Sequence, residues 1–167
     1  THTHTQSDNK KCVVFLHGLS FNALTWDKTG ILKGIAERYR AIAIDLPKKA
    51  SGSSKVEFLS EVLSLIVKPR DKIVLVAASF GGSFATPYIT RKNVDSRLVG
   101  YVSVAGILSH HEDTKQQQIK DIPLLMIYGE KDPLLQSDPI KYERMFHDSK
   151  LRVIKKEGHA CYINPNS

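Results

Sequence analysis

The sequence of 167 residues predicts a single α/β domain: a mostly parallel sheet of six strands with helices on both faces. Three observations carry this reading. Short β-branched and aliphatic runs, of the kind that fill strands buried on both faces, alternate with amphipathic stretches at helical spacing. The residues able to do chemistry stand at the carboxyl ends of those runs, where parallel sheets hold ligands. One run, Ile73-Val74-Leu75-Val76-Ala77-Ala78, ends at Ser79, and Phe80-Gly81-Gly82 lead at once into a helix-forming segment.

Residues 1–10 are polar and read as a loose leader to a domain spanning 11–167. Cys12 to Leu16 is a short buried strand that stops at His17-Gly18. Leu19 to Ala23 form a loop, and Thr25 is suited to cap a helix reaching about Tyr39, with Trp26 as a core anchor on its apolar side. Arg40 to Asp45 is the second strand, closed by Leu46-Pro47, and residues 48–54 are a loop by composition. Val56, Leu59, Val62, Leu63 and Ile66 recur at helical spacing, so 55–68 is an amphipathic helix stopped by Pro69. The helix after Ser79 begins near Phe80, with a kink or break expected at Pro87. Strands follow at 98–105, 122–128 and 151–155, with a helix over 138–146. Ser109 to Asp113 is polar and leads into a short segment, 114–120, leaving no room for a large lid. The site is therefore expected to be open and shallow. His110 and His111 are expected to face solvent or the mouth of the site.

Composition narrows the function classes. The chain is 41% hydrophobic and 25% charged, as soluble globular domains are. No run approaches the ~18 apolar residues of a membrane span, and no secretory signal is visible. The start at Thr1 is expected of a processed, trimmed or partial form, which leaves a removed signal or anchor open. Two cysteines, Cys12 and Cys161, make no disulfide framework and suit a reducing, cytoplasmic setting, with the nucleus also open. The absence of C-x-x-C argues against structural zinc, and His2 and His4 in the leader are weak metal candidates. The net charge of +7 is spread in pairs without a long basic run, so nucleic acid ranks low as a partner.

Ala77-x-Ser79-x-Gly81 is a near miss to the G-x-S-x-G turn, in which small residues flank a strained serine because the strand and helix backbones meet there. By itself the spacing is weak, and a helix cap explains Ser79 as well. Asp132, in Tyr128-Gly129-Glu130-Lys131-Asp132-Pro133, follows a later strand and also suits a turn cap. His159, in Glu157-Gly158-His159, follows the last strand, and a surface role is its alternative. Ser79, Asp132 and His159 stand in the order nucleophile, acid, base, each at the carboxyl end of a strand. Cys161 lacks such a turn and is a poor nucleophile candidate. Asp45 fits a turn role better than that of a second acid.

His17-Gly18-Leu19-Ser20-Phe21 with Thr25-Trp26, then Tyr39 to Pro47, Ser79 with its flanks, Tyr128 to Pro133 and Gly158-His159-Ala160-Cys161-Tyr162 together resemble the α/β-hydrolases, and more narrowly the α/β-hydrolase-domain-14 family. The resemblance runs from about residue 12 to 163. It implies the α/β-hydrolase fold without a large lid domain, and a Ser79, Asp132 and His159 triad. His159 is then the general base, Asp132 holds its tautomer, and the backbone N–H groups of Leu19 and Phe80 form the oxyanion hole. His17, Gly18, Ser20 and Cys161 would line the substrate pocket, His17 as an orienting residue. Some family members are lysine deacetylases that pass acetyl to coenzyme A. This implies small acyl esters or the acetylated lysine of a protein as substrate, and coenzyme A as a possible acceptor with no other cofactor required. Lys48, Lys49 and Lys55 are candidates to meet its phosphates, though nothing in their spacing demands it.

Two departures stand out. The narrower family carries serines on both sides of its nucleophile, where this chain has Ala77 and Gly81. The sequence also lacks the antiparallel strands usual before His17 and the closing helix usual after His159, so it reads as a fragment or a minimal six-stranded version. The competing function class is a catalytically silent hydrolase fold that binds a protein or ligand.

Overall fold

In the computed structural model, which describes residues 1–4, 11–108, 119 and 121–164, each apolar run becomes a strand of one sheet. The elements are β1 (His2–His4), β2 (Lys11–Leu16), α1 (Ala23–Lys28), α2 (Ile31–Ala36), β3 (Arg40–Ile44), α3 (Ser53–Ile66), β4 (Lys72–Ala78), α4 (Gly82–Thr90), β5 (Leu98–Val104), β6 (Leu124–Gly129), α5 (Asp138–Met145) and β7 (Ser149–Ile154). The strand order is β1-β3-β2-β4-β5-β6-β7. The strands from β2 to β7 are mutually parallel, as expected.

Three local expectations are corrected. Residues 2–4 are not loose: His2 pairs with Ala43 and His4 with Ala41, adding an antiparallel seventh strand at the edge beside β3. The helix expected from Thr25 to Tyr39 is two helices, because Gly30 takes φ 76°, a left-handed conformation open to glycine, and ends the first run. Its cap position is Asn22, whose N–H donates to Thr25 Oγ1 at 3.4 Å. Lastly, α4 passes through Pro87 and stops only at Thr90, so the proline marks no break. Residues 109–118, which hold His110 and His111 and the region of the expected short link, lie outside the described residues, as do 5–10, 120 and 165–167.

Chain order decides what covers each face. The crossover from β2 to β3 moves one way across the sheet, and all later crossovers move the other way. Right-handed connections therefore put α3, α4 and α5 on one face and α1 with α2 on the other. The first face is sealed by Leu59, Leu63, Phe84, Tyr88, Tyr142 and Phe146 against Val14, Leu75, Tyr101 and Met126. The second is closed over β2 and β3 by Trp26, Leu32 and Ala36, and by Cys161 and Tyr162 after β7. Along Val74, Val102, Val104, Ile127 and Ile154 it opens into an apolar groove of about 680 Å³.

Asp95 and Arg97 brace the turn into β5. Arg97 donates to both Asp95 carboxylate oxygens, from Nη2 at 2.8 Å and from Nε at 3.0 Å, and this holds the carboxyl down at about 2. A depressed native pKa stabilises above the unfolded value and stops doing so as pH falls through about 2. Asp95→Asn is therefore expected to lower the urea midpoint at pH 7, with the gap to the parent closing between pH 4 and pH 2, scaled as ~4 for a free carboxylate.

Candidate active site

The turn after β4 is strained. Ala78 is extended, Ser79 takes φ 45°, and a 3₁₀ turn over Ser79–Gly81 runs directly into α4. A non-glycine residue at positive φ costs energy and needs its surroundings to hold it. They do so from two sides. A Cβ on Gly81 would stand 2.9 Å from both Cβ and the carbonyl oxygen of Leu16, at the end of β2. On the other side, Ile107 N–H donates to the Ser79 carbonyl at 3.2 Å. The small residue after the serine is thus demanded by the approach of β2. Ala77, buried inside β4, has room for its methyl group.

His159 and Asp132 meet Ser79 from separate loops. His159 Nε2 is 2.8 Å from Ser79 Oγ, and Nδ1 is 2.9 Å from Asp132 Oδ2. Asp132 has no exposed side-chain surface, whereas the His159 side chain is 40% exposed. The second carboxylate oxygen, Oδ1, accepts the Leu134 N–H at 2.9 Å, so Asp132 caps its turn and reaches His159 at once. Lys131 N–H donates to the Glu157 carbonyl at 2.8 Å, which clasps the Asp132 loop to the His159 loop.

His17 is buried and fully engaged: Nδ1 lies 2.8 Å from the Gly18 carbonyl, and Nε2 accepts the Leu46 N–H at 2.9 Å. Only the tautomer with hydrogen on Nδ1 satisfies both, so this ring ties the turn after β2 to the turn after β3. A Cβ on Gly18 would lie 3.6 Å from Ser79 Cβ and 3.1 Å from the Tyr162 hydroxyl. Leu19 and Ser20 are exposed beside it. The Leu19 N–H makes no hydrogen bond among the described residues, and the Phe80 N–H stands in the first turn of its helix, where no intrahelical acceptor exists. Asp45 has a structural post at the head of α1, where the Ala23 N–H, bonded at 2.8 Å, draws its pKa down.

Cys161 is buried in the second-face core, where it borders the apolar groove, and burial pushes its thiol up to about 11. Cys12 is likewise pushed up to about 11, so neither thiol is primed as a nucleophile. Tyr162 received no role in the sequence reading, although it closes the Gly-His-x-Cys-Tyr stretch. It stacks on Trp26 with ring centroids 4.7 Å apart and brings its hydroxyl against Gly18. Among the described residues no three His, Cys, Asp or Glu side chains gather as a metal site would require.

A profile described as "Alpha/beta hydrolase family" matches residues 13–119. The chain belongs to that family. Within the α/β-hydrolases it is similar to "Protein ABHD14A" of Rattus norvegicus, 32% identical over 95% of this chain and 68% of the relative. The Homo sapiens protein of that name is 30% identical over 91% of this chain and 58% of the relative. "Putative protein-lysine deacylase ABHD14B" of Homo sapiens is also 30% identical, over 91% of this chain and 76% of the relative. The chain thus spans roughly three fifths to three quarters of the relatives it matches. Among solved α/β structures, a "predicted CIB-like hydrolase" of Thermoplasma acidophilum superposes with TM-score 0.79 at 21% identity, covering 98% of this chain and 84% of that one. Carboxylesterase CesB of Bacillus subtilis gives 0.70 at 14% identity, covering 97% and 81%. At these identities the likeness is one of fold.

Proposed function

We propose that this α/β-hydrolase removes small acyl groups by covalent transfer through Ser79, and that its substrate is the acylated lysine of a protein. The observation that carries the reading is the unbroken chain from Ser79 Oγ through His159 to Asp132, at 2.8 and 2.9 Å. As Oγ bonds to the acyl carbon, His159 Nε2 takes the hydroxyl proton, and Asp132 steadies the imidazolium through Nδ1. The oxyanion is met by the N–H groups of Leu19 and Phe80, each worth about 10²–10³ in rate. His159 then protonates the leaving lysine nitrogen, the C–N bond breaks, and an acyl-Ser79 ester remains. Water, or the thiol of coenzyme A, releases the acyl group as His159 takes the acceptor's proton and returns it to Oγ.

A protein substrate is supported by the name carried by ABHD14B and by the exposure of His159, Leu19 and Ser20 around the serine. The pocket residues proposed beside the triad are Gly18 and Ser20, with the buried His17 orienting the oxyanion loop, whereas Cys161, buried in the second-face core, borders the apolar groove.

The test is the intact mass after treatment with an uncharged fluorophosphonate. One adduct is expected on the parent and none on a folded Ser79→Ala variant. Acetyl-lysine peptide turnover with and without coenzyme A then identifies the acceptor. A folded parent without an adduct defeats the mechanism and leaves the silent binding fold as the better description.

A further inference from the structure

Lys55 lies in the first turn of α3, yet its side chain is half-buried against α4. Nζ donates to Ser83 Oγ at 2.8 Å, and Ser83 Oγ donates in turn to the Phe80 carbonyl at 2.7 Å. The same ammonium stands 5.1 Å from the centroid of the Phe80 ring and 5.2 Å from that of Phe84, within the ~6 Å reach of cation–π attraction. Lys55 is half-buried and Ser83 is buried, and this desolvation draws the ammonium's pKa down. Among the described residues no carboxylate pairs with it. A partly desolvated cation ordinarily demands an anionic or strongly accepting partner. One hydroxyl and two aromatic faces satisfy only part of an ammonium that carries three donors.

The location turns this deficit into a statement about substrate. Phe80 directly follows Ser79 and supplies one proposed oxyanion donor, while Ser83 sits about one helical turn beyond the nucleophile. An acyl group with two methylenes between its carbonyl and a terminal carboxylate spans a similar length. We propose that Lys55 is a specificity-determining residue that pairs with a carboxylate at the far end of the acyl group, so that succinyl-type acyl-lysine is preferred over acetyl-lysine. This rests on the acyl-transfer reading given above. A phosphate of a coenzyme acceptor offers the same anionic oxygens, and leaving the coenzyme out of the assay separates the two sources.

The experiment compares kcat/KM for succinyl-lysine and acetyl-lysine peptides of one sequence, with water as the only acceptor. The parent is expected to favour succinyl. Lys55→Gln keeps a donor for Ser83 and removes only the charge; it should lower the succinyl-to-acetyl ratio about tenfold, mostly through KM, the scale of one charge-assisted hydrogen bond. Lys55→Glu should invert the preference, and Lys55→Arg should restore it in part. A parent with no succinyl preference overturns the proposal. So does a ratio that Lys55→Gln leaves unchanged, including the case in which both substrates slow equally, since that is the mark of a brace between α3 and α4. A charge effect confined to reactions with coenzyme A overturns it in favour of phosphate recognition. Fluorophosphonate labelling of the parent keeps the two levels apart: no adduct on Ser79 brings down acyl transfer and this proposal together, whereas an adduct with an unchanged ratio brings down the proposal alone.

Discussion

Asp132→Asn is expected to lower kcat about 10⁴-fold while leaving the protein folded. The two oxygens of Asp132 have different duties: Oδ1 accepts the Leu134 N–H at 2.9 Å, and Oδ2 faces His159 Nδ1 at 2.9 Å. An asparagine keeps the turn by giving its carbonyl to Leu134. Its NH₂ must then point at His159, which forces Nδ1 to accept and moves the ring hydrogen to Nε2. In that tautomer Nε2, 2.8 Å from Ser79 Oγ, has no lone pair for the serine proton. Because Asp132 is fully buried, no water can take over its role from the side. Acyl-lysine or ester turnover and the rate of fluorophosphonate labelling measure the loss, and thermal unfolding checks the fold. A variant that labels as fast as the parent would remove Asp132 from the mechanism.

Gly129→Ala is expected to cost about 2–4 kcal/mol and to weaken the site as well. Gly129 ends β6 where the loop bearing His159 crosses it. A Cβ there would collide with the Gly158 carbonyl oxygen and come within 2.5 Å of Glu157 O and 2.7 Å of Glu157 C. These are backbone atoms with no flexible side chain to move aside. They also belong to the clasp in which Lys131 N–H meets Glu157 O at 2.8 Å and Asp132 N–H meets Gly129 O at 3.0 Å. Relief requires the His159 loop to shift away from Asp132, and a displacement of ~1 Å at reacting groups is worth ~10² in rate. Thermal unfolding should show a fall of about 5–15 °C for a chain of this size, with slower labelling of Ser79. An unaltered midpoint would mean that the loop can be repositioned at no cost.

Much of this was legible in the chain because parallel sheets leave strong local marks. Runs such as Ile73–Ala78 are apolar on both faces, and each is followed by a turn, so the strands and their carboxyl ends could be read without knowing their order in space. The chain order of Ser79, Asp132 and His159 pointed to residues that the fold brings within hydrogen-bond distance. Local signals failed where a competing preference won. Gly30 interrupts an apolar helical pattern because its left-handed conformation outweighs the periodicity. Pro87 is carried inside α4, where burial of Phe84, Ala85, Tyr88 and Ile89 against the sheet holds the helix together on both sides of it. Residues 2–4 carry no apolar alternation, and they form a strand because β3 offers an unpaired edge.

By itself the sequence determined the class of fold, the six parallel strands and the three residues that converge, since burial pattern and turn chemistry are properties of short segments. Only the tertiary structure decided what each residue touches. It showed that Gly81 is needed because Leu16 lies against it, that His17 is spent on Leu46 and Gly18, and that Asp132 serves its turn and His159 together. It also set Lys55 over Phe80, beside Ser79, which follows Lys55 by 24 residues in the chain. The reason is physical: a contact between segments far apart in sequence depends on the packing of the whole sheet, and no local preference encodes it.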